Sequence, residues 1–331
     1  MKKIMITGFS GFVARHFLEY LHGEGLSYKV LGADIKEPEL DLPCHGPVLD
    51  VRFEKLDMLD ADALRRVVRG FRPDYVLHLA AFSSVAYSWK YPSACFDNNT
   101  KIFLNLADAL RAEQLDCRVL SVGSSEEYGD VAPGKLPLVE GMPLSPVSPY
   151  AVARVAQEMM SKVFVNGFGM KIILTRSFNH IGPYQDERFV IPGFIRRILN
   201  LSAAEATEGE IETGNTGIVR DFLDVRDVVR AYYLLLTEGT PGEVYNICSG
   251  KGVRLSEVIE KIADIVGVSV TGKVNPAFVR PGDNQAVVGS AAKIEAELGW
   301  TPQIPLEETL KDMVECMRQD DPPAGASCAG K

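Results

Sequence analysis

Five short apolar runs alternate with segments of helical periodicity over the first 180 residues of this chain. The runs are Lys3–Thr7, Lys29–Asp34, Tyr75–Leu79, Arg118–Val122 and Lys171–Arg176. The helical segments between and after them are Phe12–His22, Ala61–Arg69, Ser93–Glu113 and Pro149–Asn166. Most runs are apolar at consecutive positions, the pattern of a strand covered on both faces. This alternation predicts an α/β fold, a doubly wound parallel sheet of the Rossmann type. Right-handed crossovers then bring the strand carboxyl ends, and with them a ligand, to one edge of the sheet.

Beyond Gly182 the alternation breaks up. Phe189–Asn200 reads as a helix, and Glu210–Thr213 and Glu243–Ile247 as strands. Leu255–Val266 and Leu306–Met317 are amphipathic helices, the first expected to be capped by Ser256 or a neighbour. Gly299-Trp300-Thr301-Pro302 marks a helix end followed by a turn. The expected organisation is therefore residues 1–180 mainly as the Rossmann domain and 181–319 mainly as a smaller C-terminal substrate-binding lobe interleaved with it. Residues 320–331, rich in Pro, Gly, Ala and Ser, are expected to form a flexible tail.

Charge narrows the partners. A net charge of −9 argues against nucleic acid, whose recognition depends on basic surfaces. No apolar run reaches the roughly 18–20 residues that span a bilayer, so no membrane partner is expected. The opening Met1-Lys2-Lys3-Ile4-Met5-Ile6-Thr7-Gly8 is too short in apolar residues for a signal peptide and reads as a first strand. Cys44, Cys95, Cys117, Cys248, Cys316 and Cys328 have no CxxC spacing. Free thiols in a cytoplasmic protein are expected, with no metal site.

Thr7-Gly8-Phe9-Ser10-Gly11-Phe12-Val13-Ala14 joins the first strand to the first helix. Gly8 permits the tight turn and Gly11 lets backbone approach a pyrophosphate at the helix N-terminus, with Phe12 and Val13 opening that helix. Ala14 stands where the fingerprint often has a third glycine. Asp34 ends the second strand, where a carboxylate accepts both ribose hydroxyls of NAD(H) and repels a 2′-phosphate. NAD(H) is therefore favoured, with NADP(H) as the alternative. Leu56-Asp57-Met58 follows a candidate third strand. There Asp57 would accept from the adenine amino group and Met58 would pack on the ring, or Asp57 is a simple turn residue. Leu79, Ala80 and Ala81, at the end of the fourth strand, are small enough for close contact with the cofactor. His78 before them reads as a hydrogen-bonded core residue.

Tyr150 and Arg154 stand four residues apart at the start of a helical run, so phenol and guanidinium share a face. A phenol is a poor base near neutrality, with an intrinsic pKa of about 10. A neighbouring cation favours the phenolate, and such a Tyr can exchange a proton with a sugar or alcohol oxygen while a cofactor moves hydride. Ser124, Ser125 and Glu126 form a short polar cluster upstream.

Together these segments resemble the extended short-chain dehydrogenases/reductases that act on nucleotide sugars. The likeness extends over residues 1–317 and includes Arg176-Ser-Phe-Asn-His-Ile-Gly-Pro183, Arg220-Asp-Phe-Leu-Asp-Val-Arg-Asp227, Tyr245-Asn-Ile-Cys-Ser-Gly250 and Arg280-Pro-Gly-Asp283. It is most similar to the members that reduce GDP-6-deoxy-4-keto-mannose or dehydrate GDP-mannose. The resemblance implies that Ser124 hydrogen-bonds the sugar O4 and Tyr150 exchanges its proton. It implies that the cation at position 154, Lys in the family and Arg here, holds the nicotinamide ribose. A guanidinium keeps the charge but has a different hydrogen-bond geometry. Ser125 and Glu126 match positions that do acid and base work in the dehydratases.

Further roles implied by the resemblance are more diffuse. Asn99 would face the cofactor and catalytic region, Ser84 and Trp89 would line the sugar pocket, and Asn179 would contact the hexose or diphosphate. Phe189 and Val190 would border the nucleotide, Arg220 and Arg280 would neutralise its diphosphate, and Asp283 would bond its ribose or base. The expected activity is reduction of a 4-keto-6-deoxy nucleotide sugar, of the type that turns GDP-4-keto-6-deoxy-mannose into GDP-rhamnose. A redox-neutral 4,6-dehydratase or 4-epimerase with tightly bound NAD is the alternative. A nucleotide-sugar-binding protein of low activity, because Arg154 replaces Lys, is a second. Family members pair as homodimers through the two long helices, here Ser93–Glu113 and Pro149–Asn166.

Overall fold

Ile4 and Ile6 pack on one side of the first strand and Met5 on the other, and all three are fully buried. That period-2 division between two apolar layers is what a strand at the centre of a doubly wound sheet requires. The computed structural model describes residues 1–38, 48–279 and 284–320. Cys44, Arg280, Asp283, Cys328 and the tail beyond residue 320 lie outside the described residues.

The first half of the chain runs β1 (Lys2–Thr7), α1 (Phe12–Gly23), β2 (Tyr28–Asp34), β3 (Leu49–Lys55), α2 (Ala61–Phe71), β4 (Tyr75–His78), α3 (Val85–Lys90), α4 (Pro92–Ala112), β5 (Arg118–Ser124), α5 (Pro149–Phe168) and β6 (Lys171–Ser177). The second half runs β7 (Asn179–Ile181), α6 (Val190–Ala203), β8 (Glu208–Thr213), β9 (Val219–Asp224), α7 (Val225–Glu238), β10 (Val244–Ile247), β11 (Gly252–Arg254), α8 (Leu255–Val266), β12 (Ser269–Val274), β13 (Ala286–Val287), α9 (Ala292–Leu298) and α10 (Leu306–Asp320).

Seven strands form the main sheet in the order β10-β6-β5-β4-β1-β2-β3, and every pairing in it is parallel. The chain goes outward one way from β1 to β3 and then returns to β4 on the other side of β1. A crevice opens at that switch, at the carboxyl ends of β1 and β4. Helices α1 and α7 cover one face, while α2, α4 and α5 cover the other.

Three elements from beyond residue 181 complete this sheet domain. Strand β10 extends the sheet by pairing with β6, and α7 packs against α1 in the same core. Helix α9 packs beside β10 in the same core through Ile294, and in the smaller lobe α6, α8 and α10 pack together around Ile195, Ile198, Val258, Ile262, Leu310 and Val314. Strands β8 and β12 form a separate parallel pair, and β9 joins β7, β11 and β13.

The capping expectation for α8 is corrected. Arg254 occupies its N-cap without a side-chain bond, and Ser256 sits inside the first turn. The backbone N–H of Ser256 is already satisfied by the Thr216 carbonyl at 3.0 Å, so this end is closed by a neighbouring loop. The end expected at Gly299 is observed: Gly299 has φ 66° and terminates α9 in the left-handed conformation.

Candidate active site

A cleft of ≈ 1780 Å³ runs from the β1–β4 switch into the smaller lobe. Ligand pockets for single drug-sized molecules are typically about 300–1,000 Å³, so this one has room for a dinucleotide and a second ligand together.

Its floor at the sheet edge is set by Gly8. The residue has φ +70°, and a Cβ there would lie 2.7 Å from the Ala80 backbone nitrogen. Only glycine lets the β1–α1 turn rest directly on the end of β4. Gly11 then precedes α1 in an extended conformation with no side-chain cap, and the helix opens on the cleft wall with Phe12 and Val13. Phe12, Val13, Leu79, Ala80 and Ala81 line the same wall.

Asp34 stands at the tip of β2 with its carboxylate held in place. Its Oδ2 accepts the Ser10 backbone N–H at 3.0 Å and the Ser10 hydroxyl at 2.7 Å, while Oδ1 accepts the Lys36 N–H at 3.2 Å. Ser10 was not singled out in the sequence; its place between the two fingerprint glycines, facing an Asp, is the signal that could have found it. Asp57 and Met58 also line the cleft, and Asp57 doubles as a turn residue by accepting the Leu59 N–H at 2.9 Å. A glycine turn closed against β4, an uncapped helix end and an ordered carboxylate fit a nicotinamide dinucleotide.

The proton-transfer cluster is assembled where β5 meets α5. Ser148 caps α5 by accepting the Ala151 N–H at 3.1 Å, and Pro149 follows at the first helical position. This start places Tyr150 in the first turn and Arg154 one turn on. Both are about 94% buried, and Arg154 Nε donates to the Tyr150 hydroxyl at 3.2 Å. Arg154 Nη1 donates to the Val122 carbonyl at 3.2 Å and to Gln157 Oε1 at 2.8 Å. Ser124, Glu126, Tyr150 and Arg154 all line the cleft. Ser125, also expected at the site, is buried and does not line it.

Glu127 braces this cluster from behind. It is fully buried, and its Oε1 accepts the Ser124 backbone N–H at 2.8 Å. Burial, and then the Glu158 carboxylate beside it, push its pKa well above the ordinary value. Oε2 has no donor, so a proton on Glu127 turns an unmatched acceptor into a donor for the neighbouring carboxylate. Burial alone would raise Glu158 as well, but Arg176 donates to it through two nitrogens at 2.9 and 2.8 Å and holds it near about 2.

His78 is the hydrogen-bonded core residue expected, but through one ring nitrogen alone. Nδ1 shares a 2.9 Å hydrogen bond with Thr7 Oγ1, but Nε2 is buried with no partner. Burial first, and then the Arg154 charge, lower its pKa to about 3, so the ring is neutral. Asn99 is also buried rather than lining the cleft. Its side-chain amide accepts the Phe82 N–H at 2.8 Å and donates to the Phe82 carbonyl at 3.1 Å, which pins the loop after β4.

From the other side, Ser84, Trp89, Asn179, Phe189, Val190 and Arg220 line the cleft. Ser84 is also the cap of α3, accepting the Tyr87 N–H at 3.2 Å. Arg220 Nη1 is tied to the carbonyls of Val219 at 2.9 Å and Asn284 at 2.8 Å. Next to it, buried Asp221 collects the N–H groups of Ser249, Gly250 and Gly289 and the Ser249 hydroxyl, anchoring β9.

The sheet order, the Gly8–Asp34 cradle and the Tyr150 cluster define an extended short-chain dehydrogenase/reductase, an NAD(P)-dependent class of enzyme. Within that class, the chain belongs to the GDP-mannose 4,6 dehydratase family, which matches residues 5–313. It is 33% identical over 310 residues to GDP-6-deoxy-D-mannose reductase of Pseudomonas aeruginosa, covering 94% of this chain and 95% of that one. The structure of RMD from Pseudomonas aeruginosa complexed with NADPH is similar at TM-score 0.84 and 31% identity, covering 97% and 100% of the two chains. DesIV, the dTDP-glucose 4,6-dehydratase from Streptomyces venezuelae with NAD and TYD bound, is similar at TM-score 0.83 and 26% identity, covering 96% and 97%.

Proposed function

We propose that this chain is an NADH-dependent reductase of a 4-keto-6-deoxy nucleotide sugar, GDP-linked, yielding a product of the GDP-rhamnose type. The bound nicotinamide supplies hydride to the sugar C4. Tyr150 delivers the proton to O4, Ser124 holds that oxygen, and Arg154 keeps the phenol oriented through its Nε–H. Asp34 takes the ribose hydroxyls and disfavours a 2′-phosphate. Arg220, braced by two carbonyls, meets the diphosphate. Arg280 and Asp283 belong to the same reading as further contacts to the nucleotide.

One observation favours reduction over dehydration. Loss of the C6 hydroxyl needs an acid beside the base, and Ser125, at the position for that group, is buried and does not line the cleft. The Arg154–Tyr150 hydrogen bond supports a working proton donor over the low-activity binding reading, which the assay below also tests. Redox-neutral dehydration stays the second reading, since Glu126 does line the cleft and an NAD-type ribose contact suits an enzyme that recycles its cofactor.

The test is incubation with GDP-4-keto-6-deoxy-mannose and NADH. Consumption of NADH with formation of a 6-deoxyhexose supports reduction. Conversion of GDP-mannose without net cofactor use moves the assignment to dehydration, and binding without any conversion restores the third reading.

The reading includes a homodimer formed through α4 and α5, whose surfaces carry exposed Phe96, Val152, Met159 and Val163. It also includes a cytoplasmic location, which the free thiols of Cys95, Cys117, Cys248 and Cys316 suit. No helix among the described residues is long and apolar enough to cross a membrane.

A further inference from the structure

Arg154 does not hang from α5 as an isolated cation. Its three nitrogens are sorted: Nε goes to Tyr150, Nη1 to Val122 and Gln157, and Nη2 makes no hydrogen bond among the described residues. Gln157 is the residue that enforces this division. Its Oε1 takes Nη1 at 2.8 Å, while its Nε2 donates to Ser121 Oγ at 2.9 Å and to the Val122 carbonyl at 3.3 Å. Those two donations settle which end of the amide faces Arg154. Ser161 secures the arrangement by donating to the Gln157 carbonyl at 2.8 Å and lying 3.3 Å from Ser121 Oγ. Gln157 is 2% exposed, so its polar atoms have no alternative in solvent.

The geometry suits a guanidinium in particular. A planar fork makes the Tyr150 bond and the Gln157 bond from two nitrogens held at a fixed spacing, so fixing one end aims the other. An ammonium would have to reach Tyr150, Val122 and Gln157 from a single atom. Arg154 is buried as well, and a buried cation requires its donors to be matched.

We propose that Gln157 is a positioning residue, matched to arginine at position 154, that aims the guanidinium and through it the Tyr150 hydroxyl. This rests on the reading of Tyr150 as the proton donor and extends it: Gln157 acts through arginine at position 154 and has no role without it. Restoring the family's usual lysine alone strands the Gln157 amide without its charged partner.

A double-mutant cycle tests this with Gln157→Met, Arg154→Lys, the combined variant and Gln157→Glu, which keeps an acceptor for Nη1. Two readouts apply: turnover of the keto sugar with NADH, and NADH affinity by nicotinamide fluorescence without sugar. Gln157→Met should lower kcat by about tenfold, the loss expected for one charge-assisted hydrogen bond, with the sugar KM within about twofold. NADH binding should weaken in parallel. Gln157→Glu should recover most of both, and in the Arg154→Lys background Gln157→Met should change either by less than about twofold. Equal losses in the two backgrounds, or no rescue by Gln157→Glu, would overturn the proposal and leave Gln157 as ordinary packing. If the wild-type chain binds NADH but reduces no keto sugar, the assigned reaction fails while the binding cycle still decides the role of Gln157. A wild-type chain that binds neither NADH nor NADPH sinks both.

Discussion

Ser10 delivers two hydrogen bonds to one oxygen of Asp34, the backbone N–H at 3.0 Å and the hydroxyl at 2.7 Å. The carboxylate at the end of β2 is therefore oriented before any ligand arrives, and its other oxygen accepts the Lys36 N–H at 3.2 Å. A preset acceptor loses little conformational freedom when a ribose diol binds.

Replacing Asp34 with Ala removes both the acceptor and the negative charge. NADH affinity should fall about 10- to 100-fold, the range for hydrogen bonds to a charged group. NADPH affinity should fall less or rise, because the repulsion of a 2′-phosphate goes with the carboxylate. Fluorescence titration with both cofactors measures the two changes, and an unchanged NADH-to-NADPH ratio would count against a specificity role.

Tyr150→Phe keeps the ring and deletes the proton donor. Turnover should drop by roughly 10²–10⁴-fold, the usual contribution of a positioned acid or base. The melting temperature should move little, since the hydroxyl bonds only to Arg154 among the described residues. A drop in kcat below tenfold would mean that the proton comes from elsewhere.

Glu127 carries a stability signature that depends on pH. Its folded-state pKa lies well above its unfolded value, so its neutral form stabilises the fold at acid pH. That contribution diminishes as pH rises from the unfolded value through the raised folded one. Glu127→Gln keeps an acceptor for the Ser124 N–H and a donor for Glu158, without a proton to lose. The variant should gain stability over wild type as pH increases, by up to about 1.4 kcal/mol per pH unit within that window. Denaturant melts at pH 5 and pH 9 give the comparison, and parallel curves would show that Glu127 is ionised throughout.

Gly8→Ala meets two obstacles together, a φ of +70° and a backbone nitrogen 2.7 Å from the new Cβ. The overlap is with main chain, which cannot rotate aside. The expected cost is above about 2 kcal/mol, with loss of NADH binding, because the turn must lift off β4. A variant that melts within 2 °C of wild type and binds NADH normally would contradict this close approach.

The fold was legible where burial on both faces leaves a continuous apolar run, as in Ile4–Ile6 or Val76–Leu77. Strand β3, Leu-Asp-Val-Arg-Phe-Glu-Lys, is an edge strand with alternating polar residues and left only a weak trace. Helix α7 was overlooked because Val225–Glu238 begins inside a stretch read as a family motif. Motif reading recovered the cleft wall at Gly8, Asp34, Ser124 and Tyr150, whose backbone setting follows from their neighbours in sequence. It missed Ser10, Glu127 and Gln157, whose importance lies in partners brought close only by folding. Asn99 shows the reverse: a polar residue near the site spends its amide on Phe82, which no local pattern announces.

The return of β10 to β6 has a consequence for the chain as a material. A fragment ending near residue 180 would present β6 with a bare row of N–H and C=O groups along an edge that β10 otherwise covers. Its α1 face, stripped of α7, would be uncovered beside it. Such an edge recruits strands from other molecules, so the isolated front portion should precipitate where the intact chain stays dispersed. The last strand of the sheet thus acts as a solubility guard, and half-translated chains need protection until it arrives.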